Sequence, residues 1–329
     1  MRRASAYVGR RCLSRRPGMK KPLRIGTRGS PLALIQAEEV RAALLAAHSE
    51  LAPGDVVLVP IRTSGDWKPE DRERRFIELG GNKELFTREI EASLLTGQID
   101  MAVHSLKDVS SRLHEDLAIA AVLERTDPRD VFIGRQGETL DALPPGATVG
   151  TSSLRRQAQI LARRPDLRVT PLRGNVDTRL KKLADGMADA TVLAAAGLKR
   201  LGFGGGVILD PAVMLPAAAQ GALGVEIRSG DPVMQRLVVP LNSVPSMLCV
   251  RAERAMLGVL DGSCRTPIAA LAQLTGDGTI TLEGLAAEPD GTRLVRLAQT
   301  GSSADPESLG IALAQKIRSL MPATFFARA

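Results

Sequence analysis

Two stretches far apart in the chain share one design: an apolar strand, a loop of small polar residues, then a helix. Ile25-Gly26-Thr27-Arg28-Gly29-Ser30 opens the first, with Ser30 as a helix cap and Pro31 at the first helical position. Val149-Gly150-Thr151-Ser152-Ser153 opens the second, ahead of a helix over 154–163. Each unit sets hydroxyls, backbone amides and an arginine at a helix N-terminus, which is a ready anion site. A chain built this way folds in α/β layers, and two such units suggest two related lobes with a cleft between them. The echo is weak by itself, because many α/β folds carry such turns.

The remaining pattern extends this reading. Strands are expected over 23–27, 56–61, 100–106 and 189–194, and helices over 31–47 and 84–95, with a short helix running into Leu201. The segment 65–80 is highly charged and poor in apolar pattern, so it reads as a loop. Pro216 to Gly221 is a small-residue crossing back into the first lobe, and with Pro128 it is the candidate hinge. Beyond it the character changes. A helix over 246–260 is followed by strands over 268–274, 279–286 and 293–299, then a closing helix over 305–320. Gly276-Asp277-Gly278 and Pro289-Asp290-Gly291 supply the turns. The expected fold class is α/β, with two related mixed-sheet lobes plus a C-terminal α+β domain holding a three-stranded antiparallel sheet. The expected limits are a basic tail over 1–21, a first lobe over 22–127 and 222–240, a second over 128–221, and the C-terminal domain over 241–329.

Composition narrows the function. The net charge of +8 equals the eight lysines and arginines among the first 21 residues, which hold no acid, so residues 22–329 sum to zero. Basic charge confined to a tail, with only 2% aromatic residues, argues against a nucleic-acid partner. No apolar run approaches the ~18 residues of a membrane span. The tail is expected to be disordered. Its favoured reading is an upstream start, with Met19-Lys20-Lys21-Pro22 as the natural beginning, and a mitochondrial or plastid targeting peptide is the alternative. Cys12, Cys249 and Cys264 form no CxxC pair, and His48, His104 and His114 are scattered. The expectations are a reducing, cytoplasmic compartment, no metal and a monomer.

Positive charge gathers where the second unit begins. Between Pro145 and Lys182 lie nine lysines and arginines and two aspartates. Gly150-Thr151-Ser152-Ser153-Leu154-Arg155-Arg156 and Leu172-Arg173-Gly174-Asn175-Val176-Asp177-Thr178-Arg179-Leu180 set arginines among small residues. That arrangement suits a polyanionic ligand, with guanidinium forks and backbone amides converging on carboxylates or phosphates. Arg155 and Arg156 at a helix start oppose the helix dipole unless an anion is present. Arg163 and Arg164 read as favourable helix-end charges, and Lys181 and Lys182 as solvated. Ala102-Val103-His104-Ser105-Leu106-Lys107-Asp108-Val109 ends a strand, where α/β sites gather. His104 alternates with Ser105 and reads as a hydrogen-bonded core residue. Cys249 reads as packing. Gln220 holds either hinge or ligand, Arg200 either ligand or its own helix end, and Lys83 either a lid or a surface helix.

These segments, with Leu260-Asp261-Gly262-Ser263-Cys264-Arg265-Thr266-Pro267, resemble the porphobilinogen deaminase family in order along nearly the whole chain. The resemblance implies periplasmic-binding-protein-like lobes and an enzyme that joins four porphobilinogens into hydroxymethylbilane, releasing ammonia. It implies a covalent dipyrromethane cofactor, thioether-linked at the position of Cys264, and a catalytic aspartate at Asp108. Cofactor contacts are implied for Ser105, Lys107, Asp108, Thr151, Ser152, Ser153, Arg155, Arg156, Arg173 and Gly174. Substrate contacts are implied for Arg28, Ser30, Lys83, Arg173, Arg179 and Arg200. Each pyrrole carries an acetate and a propionate, so the arginines match the ligand's charge. The sequence departs from the family at Glu84, Asp261 and Ser263. A non-catalytic two-lobed anion-binding module is the competing reading.

Overall fold

The computed structural model describes residues 21–65, 83–260 and 266–326. The basic tail over 1–20, most of the charged loop over 65–80 and Cys264 therefore lie outside the described residues.

The first segment runs β1 (Leu23–Arg28), α1 (Pro31–Ala47), β2 (Val56–Ile61), α2 (Arg88–Leu95), β3 (Met101–Ser105) and β4 (Leu117–Val122). The second runs β5 (Asp130–Gly134), β6 (Thr148–Gly150), α3 (Leu154–Arg163), β7 (Arg168–Thr170), α4 (Val176–Ala184), β8 (Ala190–Ala194), α5 (Ala195–Arg200) and β9 (Val207–Ile208). β10 (Leu223–Arg228) and α6 (Pro232–Val238) follow. The last segment is α7 (Val244–Val259), β11 (Ile268–Leu274), β12 (Thr279–Ala287), β13 (Leu294–Ser302), α8 (Pro306–Leu320) and α9 (Ala323–Phe326).

Caps place the helix starts. Ser30 Oγ accepts from the Ala33 amide, and Pro31, lacking a donor, costs the first turn nothing. Asp305 and Pro306 repeat the device at α8. Two expected boundaries shift. The helix expected from Glu84 is a tight turn over Lys83–Phe86, and α2 begins only after Thr87, whose side chain makes no cap bond. α7 starts at Val244 rather than Ser246, because Ser243 caps it and Pro245 fits its first turn.

The two lobes repeat one sheet. The first has strand order β2-β1-β3-β10-β4 and the second β7-β6-β8-β5-β9. In each, three strands are parallel and the fourth, β10 or β5, lies antiparallel to both its neighbours. The parallel strands β1, β3, β6 and β8 end at the loops that carry the anion-binding motifs. Close packing fixes the inner positions: a Cβ on Gly26 would stand 2.2 Å from Ile99 Cδ1. Ile25, Val40, Leu44, Met101 and Val225 fill the first core, and Phe132, Val149, Ile160, Val192 and Met214 the second. The third sheet, β11-β12-β13, is antiparallel and packs with α7 and α8 around Met256, Leu282 and Leu313. Cys249 lies in that core, and burial pushes its thiol pKa up.

One buried carboxylate ties the three units. Glu253 on α7 accepts from Arg125 Nη1 at 2.6 Å and Nη2 at 3.1 Å, in the chain leaving the first sheet. It also accepts from the Ala219 amide in the returning crossing at 2.5 Å and from the Ala272 amide of β11 at 2.7 Å. Ala219 holds a φ of 60°, a left-handed conformation that costs a non-glycine residue free energy and is fixed here by its bond to Glu253.

Candidate active site

A cleft of about 400 Å³ opens where the parallel strands of both lobes end. That size suits a ligand of several rings rather than a lone ion.

The first lobe supplies the reactive wall. β3 ends at Ser105, whose Oγ accepts from Gln36 Nε2 at 2.8 Å, so α1 fixes the strand end. The tight turn over Leu106–Asp108 then sets Lys107 and Asp108 into the cleft. Lys107 Nζ donates to Gln220 Oε1 at 3.4 Å. Burial lowers the Lys107 pKa to about 8; Asp108 opposes that shift, and Arg156 and Arg155 add to it. The Arg28 guanidinium lies over the Phe86 ring, 4.6 Å from its centre, which orients it beside Ser30 in the cleft wall.

The second lobe supplies fixed positive charge. Arg155 and Arg156 open α3, and both are buried. Arg155 Nη2 donates to Asp130 Oδ2 and Arg156 Nη2 to Asp130 Oδ1, each at 2.8 Å. Arg155 Nη1 reaches the Leu215 carbonyl at 2.7 Å and Arg156 Nη1 the Val192 carbonyl at 2.8 Å. Asp130 is fully buried. Burial opposes its ionisation, but the two guanidiniums hold its carboxyl well below the usual carboxylate range. Asp130 is thus the anion that reconciles two cations with a helix N-terminus. Two guanidiniums against one carboxylate still leave an excess positive charge facing the cleft.

Polar atoms of this wall remain available to a ligand. Ser152 Oγ and Arg156 Nε are buried and find no hydrogen-bond partner among the described residues, and both residues line the cleft. Buried polar groups in native proteins are normally satisfied, so orphans here fit a polycarboxylate ligand. Ser153 Oγ caps α3 through the Arg156 amide. Thr151 lies behind the lining, its Oγ1 accepting from the Ser153 amide at 3.2 Å. Arg173 and Gly174 also line the cleft; Gly174 has φ 112°, and its carbonyl accepts from Arg179 Nε at 2.8 Å. Arg200 lines the cleft and binds Glu39 of the opposite lobe through Nε, 3.1 Å from each oxygen.

The fold therefore gathers the expected residues of both motifs, Thr151 excepted, around one cavity. The side chain of Lys83 and all of Cys264 lie outside the described residues, although Leu257 and Thr266, on either side of Cys264 in sequence, line the cleft. Four participants were not anticipated as site residues: Asp130, Glu39, Gln36 and Phe86. Asp130 had one local signal, an acid opening an otherwise apolar strand. Gln220 lines the cleft and also ties the two crossings, its side-chain Nε2 donating to the Pro128 carbonyl and Asp130 Oδ1 at 2.8 Å and its Oε1 accepting from Lys107. His104 is the buried core residue expected, with Nε2 3.0 Å from Glu226 Oε2.

Family sequence models match over both parts of the chain. The porphobilinogen deaminase dipyromethane cofactor binding domain covers residues 23–236, and the porphobilinogen deaminase C-terminal domain covers 247–319. The chain belongs to the porphobilinogen deaminase family. It is 49% identical over 317 residues to the porphobilinogen deaminase of Paracoccus denitrificans, covering 95% of this chain and 99% of that one. It is 49% identical over 302 residues to that of Roseiflexus sp., covering 91% and 96%. Porphobilinogen deaminases are enzymes, transferases of tetrapyrrole biosynthesis. Among solved structures, a Brucella ovis periplasmic binding protein aligns over 74% of this chain and 70% of its own, with a TM-score of 0.38 and 15% identity. At that distance it adds nothing to the fold described above.

Proposed function

We propose that this chain joins four porphobilinogens head to tail on a dipyrromethane held by a thioether to Cys264, releasing ammonia at each step and hydroxymethylbilane by hydrolysis. The observation that carries the reading is the facing of two unlike walls: Asp108 and Lys107 on one, and the two arginines anchored by Asp130 on the other. When bound, the dipyrromethane supplies the nucleophilic pyrrole carbon on which the chain begins. Arg155, Arg156 and Arg173, with Ser152 and Ser153, hold its carboxylates. Arg28, Ser30, Arg179 and Arg200 receive those of the incoming porphobilinogen.

Porphobilinogen brings its leaving amine as an ammonium, so loss of ammonia breaks the C–N bond and leaves a cationic azafulvene. The Asp108 carboxylate stabilises that cation, then accepts the proton released when the new C–C bond forms. Lys107, which feels the charge of Asp108, binds the substrate's negative charge together with the arginines. Thr266, two positions beyond Cys264 in sequence, lines the cleft, which supports the anchor assignment. The sheets support a division of the lobes near residues 127 and 221: β4 ends at Val122 and β5 begins at Asp130, while β9 ends at Ile208 and β10 begins at Leu223.

Intact-protein mass spectrometry tests this directly. The wild-type chain is expected to carry an excess of two linked pyrroles, and Cys264→Ser to carry none. Asp108→Asn is expected to keep the adduct and lose turnover by about 10²–10⁴-fold. An unmodified wild-type chain that porphobilinogen cannot reconstitute would leave only a binding module.

A further inference from the structure

An acid borders this anion-binding cleft for no reason the chemistry above supplies. Glu39 lies on α1 of the first lobe, 40% exposed at its side chain, while the Arg200 side chain it binds is 6% exposed. Simple electrostatics makes Glu39 unfavourable, because its charge repels the carboxylates that Arg200 would bind. Its geometry gives the compensation. Both Glu39 oxygens sit 3.1 Å from Arg200 Nε, and no hydrogen bond engages Nη1 or Nη2 among the described residues. A guanidinium is planar, so a carboxylate fixed at Nε sets the plane of the fork and leaves its outer edge for a second carboxylate.

The helix that carries Glu39 is already part of the site. Leu32, Gln36 and Glu39 fall on one stripe of α1. Gln36 holds Ser105 at the end of the strand leading to Asp108. A Cβ on Gly197 of α5 would stand 3.6 Å from Leu32, so the two helices meet across the lobes. One helix face thus connects the reactive wall of the first lobe to Arg200 of the second.

We propose that Glu39 is a positioning residue: it clasps the lobes together through Arg200 and presents the outer edge of that guanidinium to a carboxylate of the incoming substrate. The inference rests on the functional reading above. It predicts the reverse of the simple charge effect. Removing the acid should weaken substrate binding, although it makes the cleft more positive.

The experiment compares holoenzymes carrying Glu39→Gln, Arg200→Lys and both substitutions, with porphobilinogen as substrate. Glu39→Gln is expected to raise KM roughly fivefold, the scale of one net hydrogen bond, with kcat within about twofold of wild type. The double variant should bind no worse than Arg200→Lys alone. A lower or unchanged KM in Glu39→Gln, or additive effects in the double variant, would overturn the proposal. Hydrogen exchange on the unliganded full chain supplies an arm independent of activity. Glu39→Gln should speed exchange of α5 amides, and unchanged α5 protection would overturn the clasp. Loss of porphobilinogen turnover in the wild type itself would instead overturn the functional reading and leave the exchange result standing.

Discussion

The two lobes share one sheet topology, yet the acid each buries on its antiparallel strand answers to a different partner. In the first lobe Glu226 on β10 meets His104 on the adjoining strand. In the second, Asp130 on β5 reaches out to two arginines of α3. An imidazole can lose its proton and remain a hydrogen-bond partner, whereas a guanidinium stays charged. The first lobe therefore holds groups whose protons can move, Lys107 among them. The second holds guanidinium charge that stays fixed as pH rises, balanced by a carboxylate that gives way only in acid. Same architecture and unlike chemistry show that the sheet fixes where side chains arrive, while the residues at its strand ends decide what happens there.

The largest test of this contrast is removal of the buried acids. Asp130→Asn leaves two guanidiniums buried without their carboxylate and is expected to cost about 3–5 kcal/mol in urea unfolding. Glu226→Gln should cost less, about 1–3 kcal/mol, because a neutral histidine still finds a partner. Equal losses would erase the distinction. The acid limb sharpens it. The Asp130 carboxyl titrates lower in the folded than in the unfolded chain, so its stabilisation is present above the unfolded value near ~4 and is lost as pH falls below it. Asp130→Asn should flatten that limb of the stability profile.

A smaller effect concerns Lys107. Its pKa of about 8 lies below the unfolded value near ~10.4, so the folded chain releases this proton first. Affinity of the free cleft for an unreactive pyrrole dicarboxylate, measured by calorimetry, should weaken as pH rises through 8. Lys107→Arg should remove that step, and a step of unchanged size would assign the titration elsewhere. The smallest effect is expected at the exposed pair of Arg163 and Asp141, 2.8 Å apart. Arg163→Ala should change stability by less than about 1 kcal/mol.

Much of the fold was legible because its signals are local. Ser30-Pro31 and Asp305-Pro306 start helices wherever the chain places them, and Gly-Asp-Gly turns a hairpin without help from distant residues. The cleft-lining residues were legible for a different reason: they crowd in short motifs whose charge has no use on a solvated helix face. What escaped were the partners. Asp130 lies 25 residues from Arg155, and Glu39 lies 161 from Arg200, so only the assembled sheets bring them together. The break at Thr87 escaped for the same reason, since propensity over 84–95 favours one continuous helix and tertiary packing interrupts it.

Glu253 receives both chain crossings and the first strand of the third sheet on a single carboxylate. Mechanically that makes it a fulcrum. Two connections pinned at one point permit rocking about a short axis but oppose sliding, and the arc swept by any group grows with its distance from the pivot. Gln220 sits next to pinned Ala219 and is bonded to Lys107, so the reactive wall lies on the short arm of the lever. Any rocking about that point would displace the reactive wall least and the far rim of the cavity most.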